Sequence, residues 1–220
     1  NALYNRIDAI ERFAADVAHE LKNPLTSLRS AVETLPFAKK DADRERLIEI
    51  IQHDVRRLDR LISDISNASR IDAELARENT ETVDLAGLAE AITSIQADLA
   101  AAHGVSVVFT PAKGKTRPLV LGHDNRLAQI FTNLIDNAVS FSPQGGVVEV
   151  TVEVEGEYVV ARVTDEGPGI ADPEKVFQRF YTDRPEGESF GDHSGLGLSI
   201  SRQIAQAHKG RLEAGNRGDR

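Results

Sequence analysis

A histidine, a glutamate, an asparagine and a proline stand close together in the stretch VAHELKNPL, residues 17–25. A hydrogen bond from one ring nitrogen of His19 to Glu20 would fix the tautomer and leave the other nitrogen as a nucleophile. Asn23 lies one helical turn after His19 and shares its face. Pro24 removes a backbone donor and clashes with the carbonyl four residues back, so we expect a kink there. These residue types predict a phosphoryl acceptor.

The surrounding pattern predicts that His19 faces water. Apolar residues recur at intervals of three, four or seven from Leu3 to Leu35, which is typical of a heptad seam. His19 falls midway between Val17 and Leu21 of that seam. It is therefore expected at the outermost position of the helix rather than in a core.

A second helical pattern follows a polar turn. Pro36 ends the first pattern, the turn is expected over residues 39–46, and apolar residues recur from Leu47 to Ile65. Two helices with a short connection form an antiparallel hairpin. One hairpin cannot cover both seams, so we expect two copies of the chain to form a four-helix bundle. The alternative is a hairpin packed on the other half of the same chain.

The rest of the chain mixes helical and strand patterns after a polar segment, residues 71–84, which we interpret as a linker. Mixed patterns of this kind predict an α/β sandwich. The expected domains are residues 1–76 and 77–220. Helices are expected at 85–102, 124–141 (with Asp124 as N-cap) and 198–208, and strands at 105–110, 118–121, 145–156 and 157–167.

The stretch FAADVAHELKNPLTSL resembles the H box of the sensor histidine kinases of two-component systems. Four further motifs follow in the order that the family has. Five motifs in this order, over nearly the whole chain, are a specific signature of the family. The segments NPLTSLRSAVETLP and RFYTDRPEGESFG are similar to the sequences of the ChvG/ExoS group of alphaproteobacterial envelope sensors. The later motifs are NLIDNAVSFS (133–142, N box), DEGPGI (165–170, G1 box), FQRFY (177–181, F box) and SGLGLSI (194–200, G2 box).

The resemblance implies a multi-domain α plus α/β fold. A dimeric helical hairpin (HisKA), forming a four-helix bundle across the homodimer, precedes a Bergerat-type α/β sandwich that binds ATP (HATPase_c). The family transfers the γ-phosphoryl group of ATP to a histidine, here His19, and then to an aspartate in the receiver domain of a response regulator. Glu20 would be the base or orienting carboxylate. Asn23 would position water for dephosphorylation of the regulator.

The N and G1 boxes imply the nucleotide contacts. In the family the second asparagine of the N box binds Mg²⁺, a hard cation that prefers oxygen ligands. Asn137 takes that role here, and Asn133 lines the same site because residues four apart share a helix face. Asp165 is expected to accept a hydrogen bond from the adenine amino group. Gly167 and Gly169 are expected to let the backbone approach the base.

The G2 box implies phosphate binding, because free N–H groups at a helix start attract anions. A glycine-rich segment, residues 182–194, is expected to form a lid over the nucleotide. Many members of the family carry a basic residue just after the second N-box asparagine. In this sequence the residues that follow Asn137 are not basic. The expected nucleotide-binding residues of the G2 box are Ser194, Gly195, Leu196, Gly197 and Leu198, and the candidate phosphate-contacting cations are Arg184, Arg179 and Lys175.

Composition restricts the function classes further. The net charge of −9 argues against a nucleic-acid partner, and the absence of cysteine excludes disulfides and thiolate chemistry. The other five histidines lack ligand-like spacing, so Mg²⁺ with the nucleotide is the only metal expected. No apolar run reaches the roughly 20 residues that span a bilayer. We expect the cytoplasmic portion of a bacterial inner-membrane sensor, with its membrane segments and the family's final strand absent from these residues.

Two other functions stay open on the sequence alone. A non-kinase ATPase of the same fold needs a carboxylate near the N box to activate water, and Asp136 is the obvious candidate. The other function is a signalling scaffold that acts mainly as a phosphatase and has weak kinase activity. The absence of a basic residue after Asn137 leaves this function open.

Overall fold

The computed structural model describes residues 2–75, 80–111, 116–181 and 194–218. The chain divides into two compact units. The first comprises residues 1–69 and 179–196, and the second comprises residues 70–178 and 197–220.

The first unit contains the predicted helical hairpin. Helix α1 (Ala2–Thr34) is followed by a 3-10 turn (Leu35–Phe37) and by helix α2 (Asp41–Leu75). The polar turn expected over residues 39–46 is wrong in its extent, because α2 already begins at Asp41. Acidic residues in its first turn favour that early start through the helix dipole.

Helix α1 continues without a break through Pro24, whose side chain is almost fully buried. From Val17 onward the predicted seam is half-buried or buried, with Ala31 buried on α1 and Leu61 buried on α2. The helical phase inferred from the apolar repeat is therefore confirmed over this part of α1.

Both helices also carry an apolar stripe that lies exposed. On α1 it consists of Leu25 and Val32, and on α2 of Ile48, Val55 and Ile62, with each residue seven after the one before. Their exposed fractions lie between 43% and 56%. Spacing of seven keeps these side chains on one face of each helix, so each helix presents an exposed apolar stripe.

The second unit is an α/β sandwich, as predicted. One sheet has the order β2–β4–β5, with β2 parallel to β4 and β4 antiparallel to β5, and β1 pairs with β3 in an antiparallel ribbon. The elements are β1 (Glu81–Asp84), α3 (Leu85–Ala101), β2 (Ser106–Pro111), β3 (Leu119–Gly122), α4 (Asp124–Phe141), β4 (Val147–Glu155), β5 (Tyr158–Thr164), a 3-10 turn (Lys175–Phe177) and α5 (Gly197–Ala207).

The core lies between the sheet and helices α3 and α4. Alternate residues of β4, Val148, Val150 and Val152, are fully buried, and they belong to the same cluster as Phe131 and Ile135 of α4. Burying a side chain of this size contributes about 1.5–3 kcal/mol. The core thereby fixes α4, the helix that carries the N box.

Two local predictions are wrong. The segment expected to be a linker includes the end of α2 and the strand β1, which is too short for its alternation to be recognised. Asp124 is the first residue of α4 rather than its N-cap, a position taken by His123. The His123 backbone N–H donates to Nε2 of His208 over 3.0 Å, so the start of α4 is joined to the residue that follows α5.

No helix in the described ranges combines the length and apolar character needed to cross a membrane.

Candidate functional site

His19 projects from α1 into solvent, as its heptad position predicts. Asn23, one turn later, is also exposed. No hydrogen bond joins the imidazole to another described residue. The ring is thus free for a reaction partner to approach.

Glu20 points away from His19 and toward α2. Its Oε2 accepts a hydrogen bond from Nη2 of Arg57 over 3.1 Å, and both side chains are largely buried. The expected hydrogen bond between the imidazole and Glu20 is absent from the described contacts. Adjacent residues on a helix do not face each other, so Glu20 lies on the inner side when His19 lies on the outer side.

The sequence reasoning missed Arg57, which binds Glu20, and the buried Asp54 on the same helix. Asp54 is 5% exposed, and its Oδ1 is 3.3 Å from Nδ1 of His53. Arg57 follows Asp54 by three residues on α2. The available signal was that Asp54 occupies the seam position between Ile51 and Leu58, where an apolar residue is expected.

The two asparagines of the N box are used differently. Nδ2 of Asn133 donates to the carbonyl of Gly197 and to Oγ of Ser201, both over 3.1 Å, and so joins α4 to the first turn of α5. The side-chain amide of Asn137 makes no hydrogen bond to another described residue. The side-chain amide of Asn137 is therefore unpaired among the described residues, whereas both N–H groups of Asn133 donate within the protein.

The G1 loop is held by side chains that accept from its backbone. Oδ1 of Asp165 accepts from the N–H of Gly167 over 2.8 Å. Farther along the loop, Asn216 accepts from the N–H of Ile170 over 2.7 Å and donates to its carbonyl over 2.9 Å. The second carboxylate oxygen of Asp165 makes no hydrogen bond to another described residue. Asn216 was not predicted, because it lies in an irregular segment beyond the last motif.

Gly169 is required by this arrangement. Its φ is +84°, and a Cβ there would lie 2.7 Å from Oδ1 of Asn216. A Cβ at Gly167 would likewise lie 2.8 Å from Asp165. The glycines of the G1 box are therefore needed for the loop's own packing, in addition to the predicted approach of a base.

The start of the G2 box is joined to the F box within the first unit. The N–H of Phe180 donates to the carbonyl of Gly195 over 2.8 Å, and a Cβ on Gly195 would lie 2.7 Å from Cα of Phe180. Ser194 Oγ donates to the carboxylate of Asp64 and accepts from the N–H of Leu196. Burial raises the pKa of Asp64, although this hydrogen bond opposes the rise. The Ser194 hydroxyl is thus engaged with the protein here.

Helix α5 begins in the second unit with Gly197 and Leu198, both half-buried. A Cβ on Gly197 would lie 3.6 Å from Cγ of Asn133, an ordinary van der Waals distance. The protein's own packing therefore does not demand glycine at this position. A bare helix start is instead what a phosphate group requires for close approach to the N–H groups.

The family models and close relatives agree on the identity of the chain. A His Kinase A (phospho-acceptor) domain matches residues 9–74, and a histidine kinase-, DNA gyrase B-, and HSP90-like ATPase matches residues 122–220. The chain is 56% identical to sensor protein ChvG of Agrobacterium fabrum and 54% identical to ChvG of Rhizobium meliloti, over 98% of its own length. It belongs to the sensor histidine kinases.

The chain spans 37% and 38% of the length of these two relatives. Among solved structures, the Acinetobacter baumannii histidine kinase AdeS is 26% identical with a TM-score of 0.61, and 86% of each chain is covered. The histidine kinase ThkA, in complex with the response regulator protein TrrA, has a TM-score of 0.76 at 22% identity, covering 98% of this chain and 60% of that one. The ThkA match shows that the fold is shared.

Each of the two described residues that were expected as candidates for a phosphate-contacting cation has a partner within the protein. The guanidinium of Arg179 lies 4.7 Å from the ring centroid of Phe13. Nζ of Lys175 is 3.3 Å from Asp172, and its hydrogen bond lowers the pKa of that carboxyl. Arg184 and the expected lid up to residue 193 lie outside the described residues.

Replacing Asn216 by alanine is expected to weaken nucleotide binding by about tenfold, because two hydrogen bonds worth about 0.5–1.5 kcal/mol each are lost from the G1 loop. Calorimetric titration with ADP measures the change. Arg217→Ala, at the exposed neighbouring position, is the matched control and should bind like the wild type. Equal affinity of the Asn216→Ala variant would show that the loop keeps its shape without this amide.

Proposed function

We propose that this chain autophosphorylates on His19 with ATP and then passes the phosphoryl group to an aspartate of a response-regulator receiver domain. The observation that carries the proposal is the exposed, unpaired imidazole of His19 on a HisKA hairpin, in a chain that also contains a kinase-type ATPase fold. A ring nitrogen forms a bond to the γ-phosphorus while the bond from that phosphorus to the bridging oxygen of ADP breaks. ADP leaves with the electron pair.

The open groups of the second unit support the nucleotide half of this reaction. We assign Mg²⁺ to Asn137, whose amide is unpaired among the described residues, and adenine to the remaining oxygen of Asp165. The start of α5 is assigned to phosphate. Mg²⁺, when bound, would supply charge neutralisation for the phosphates. Asn133 has the further task of fixing α5 relative to α4.

A phosphatase activity toward the regulator is the second function that a specific observation favours. Asn23 is exposed on the same face as His19, where its amide can orient a water molecule toward a phosphoaspartate. The non-kinase ATPase alternative loses support, because Oδ1 of Asp136 accepts a hydrogen bond from Nε2 of Gln96 on α3 over 2.9 Å. That carboxylate is occupied in packing α4 on α3.

The active species is proposed to be a homodimer. The exposed stripes on α1 and α2 have the spacing of a bundle interface, and a second copy would supply identical stripes to cover them. The regulator is proposed to dock on the hairpin, on the exposed face of α1 that carries His19 and Asn23. ThkA, the structural relative solved with a response regulator, supports this choice of partner. We also propose that these residues are the cytoplasmic portion of a membrane sensor.

Replacing Ile62 by glutamate is expected to convert the dimer to a monomer. The variant buries two charges in place of two isoleucines worth about 1.5–3 kcal/mol each, so the dimer dissociation constant should rise at least about 10²-fold. Sedimentation equilibrium measures it. Ser63→Glu adds the same charge one residue later on the exposed side and should stay dimeric. If both variants remained dimers, the stripe would not be the interface.

Incubation with γ-labelled ATP and Mg²⁺ tests the proposed function. An acid-labile, alkali-stable label that moves to a receiver domain is the expected result. Nucleotide binding with no label transferred to the protein would favour the hypothesis of a scaffold that acts mainly as a phosphatase.

A further inference from the structure

A polar cluster lies on the inner side of the hairpin, about 100° around the axis of α1 from His19. It consists of Glu20 on α1 and of His53, Asp54 and Arg57 on α2, and we call it the Glu20 cluster. Nη2 of Arg57 is 3.1 Å from Oε2 of Glu20, and Nδ1 of His53 is 3.3 Å from Oδ1 of Asp54. The side chains of Glu20, Arg57 and Asp54 are 26%, 21% and 7% exposed. Withdrawing charge from water to this degree is costly unless each atom is paired.

Two atoms of the cluster are not paired. Oδ2 of Asp54 and Nε of Arg57 are buried, and neither has a hydrogen-bond partner among the described residues. One is an acceptor and the other a donor, and residues three apart on a helix are neighbours. Movement of the guanidinium from Glu20 toward Asp54 would give both atoms a partner.

We propose that Arg57 is a positioning residue that exchanges between two acceptors. When it pairs with Glu20 it keeps that carboxylate away from His19, and when it pairs with Asp54 it releases Glu20 to the imidazole. The proposal rests on the proposed function, because phosphorylation of His19 is the step that needs Glu20. Since Glu20 and His19 share no hydrogen bond in the described arrangement, Glu20 must move before it can orient the ring. Two arrangements with comparable contacts make a two-state element.

The exchange predicts opposite effects for its two partners. Asp54→Asn weakens the alternative acceptor, leaves Arg57 on Glu20, and should lower the initial rate of autophosphorylation about tenfold, by shifting the population away from the competent state. Arg57→Met removes the competitor and should give a rate equal to or above the wild type. The double variant should recover at least the wild-type rate. The KM for ATP should be unchanged in all three.

A merely structural role for Asp54 predicts the reverse for the double variant, which would be as slow as the single variant or slower, and that result would overturn the proposal. So would an unchanged rate in Asp54→Asn, or a loss of rate in Arg57→Met with helicity retained. Asp59→Asn and Arg56→Met, at exposed positions of α2, are the matched controls and should behave as wild type. If Asp54→Asn does not fold, Arg57→Met alone decides the matter.

A readout without ATP separates this proposal from the proposed function. Long-range ¹H–¹⁵N correlation spectra of the His19 ring should shift toward one tautomer in Arg57→Met, and should return to the wild-type spectrum in Arg57→Met/Glu20→Gln. Ring shifts that do not change would overturn the exchange. A wild type that shows these ring effects but takes no label from ATP would contradict only the kinase function.

Discussion

His19→Gln is expected to reduce autophosphorylation to less than about one thousandth of the wild-type rate, because the group proposed to form the bond to phosphorus is gone. Glutamine keeps similar volume and polarity, and position 19 is exposed, so neither packing nor stability should change. The acid-labile label incorporated from γ-labelled ATP measures the effect.

The same variant should bind ADP with wild-type affinity, because its substitution lies on the hairpin and the assigned nucleotide contacts lie elsewhere. His103→Gln, at an exposed position after α3, is the matched control and should still be labelled. A label that persisted in His19→Gln would place the acceptor on another residue. Phosphate release that persisted without any label would restore the ATPase alternative.

Asn137→Ala is expected to lower autophosphorylation by about 10²–10³-fold, the usual effect of removing one preorganised group that stabilises transferring charge. The amide oxygen proposed as a Mg²⁺ ligand disappears, while the helix gains a better helix former. Rates measured over a range of Mg²⁺ concentrations give the change. Asn137→Asp, which keeps an oxygen ligand, should retain part of the activity.

Nucleotide affinity with and without chelator gives the test its second readout. Chelation should weaken binding to the wild type and have little effect on Asn137→Ala. Asn125→Ala, exposed at the start of the same helix, should match the wild type in both measurements. If Asn137→Ala kept its Mg²⁺ dependence, another residue would hold the ion.

The sequence was sufficient where the relevant contacts are local. An apolar repeat sets the phase of a helix, so the exposure of His19 and the inward seam followed from residues within a few turns. The pattern of residues 145–156 likewise predicted a strand where β4 lies. Both rest on the geometry of one element and require no knowledge of its partners.

The pairs that form the sites are separated by long stretches of chain and were missed for that reason. Glu20 and Arg57 lie 37 residues apart, and Ile170 and Asn216 lie 46 apart. Nothing in a local pattern says which of several arginines on α2 will face Glu20. The predicted contact between His19 and Glu20 was drawn from adjacency in sequence, which on a helix separates side chains rather than joining them.

The two hydrogen bonds between Asn216 and the G1 loop affect the choice of the C-terminal boundary when fragments of this protein are expressed. A boundary chosen from secondary structure would fall soon after α5, which ends at Ala207, and the trimmed domain would keep the central sheet and all the recognised motifs. It would nevertheless lose both hydrogen bonds to Ile170. A shortened domain of this kind should fold and yet bind nucleotide poorly, so screening campaigns for inhibitors should use fragments that extend beyond residue 216.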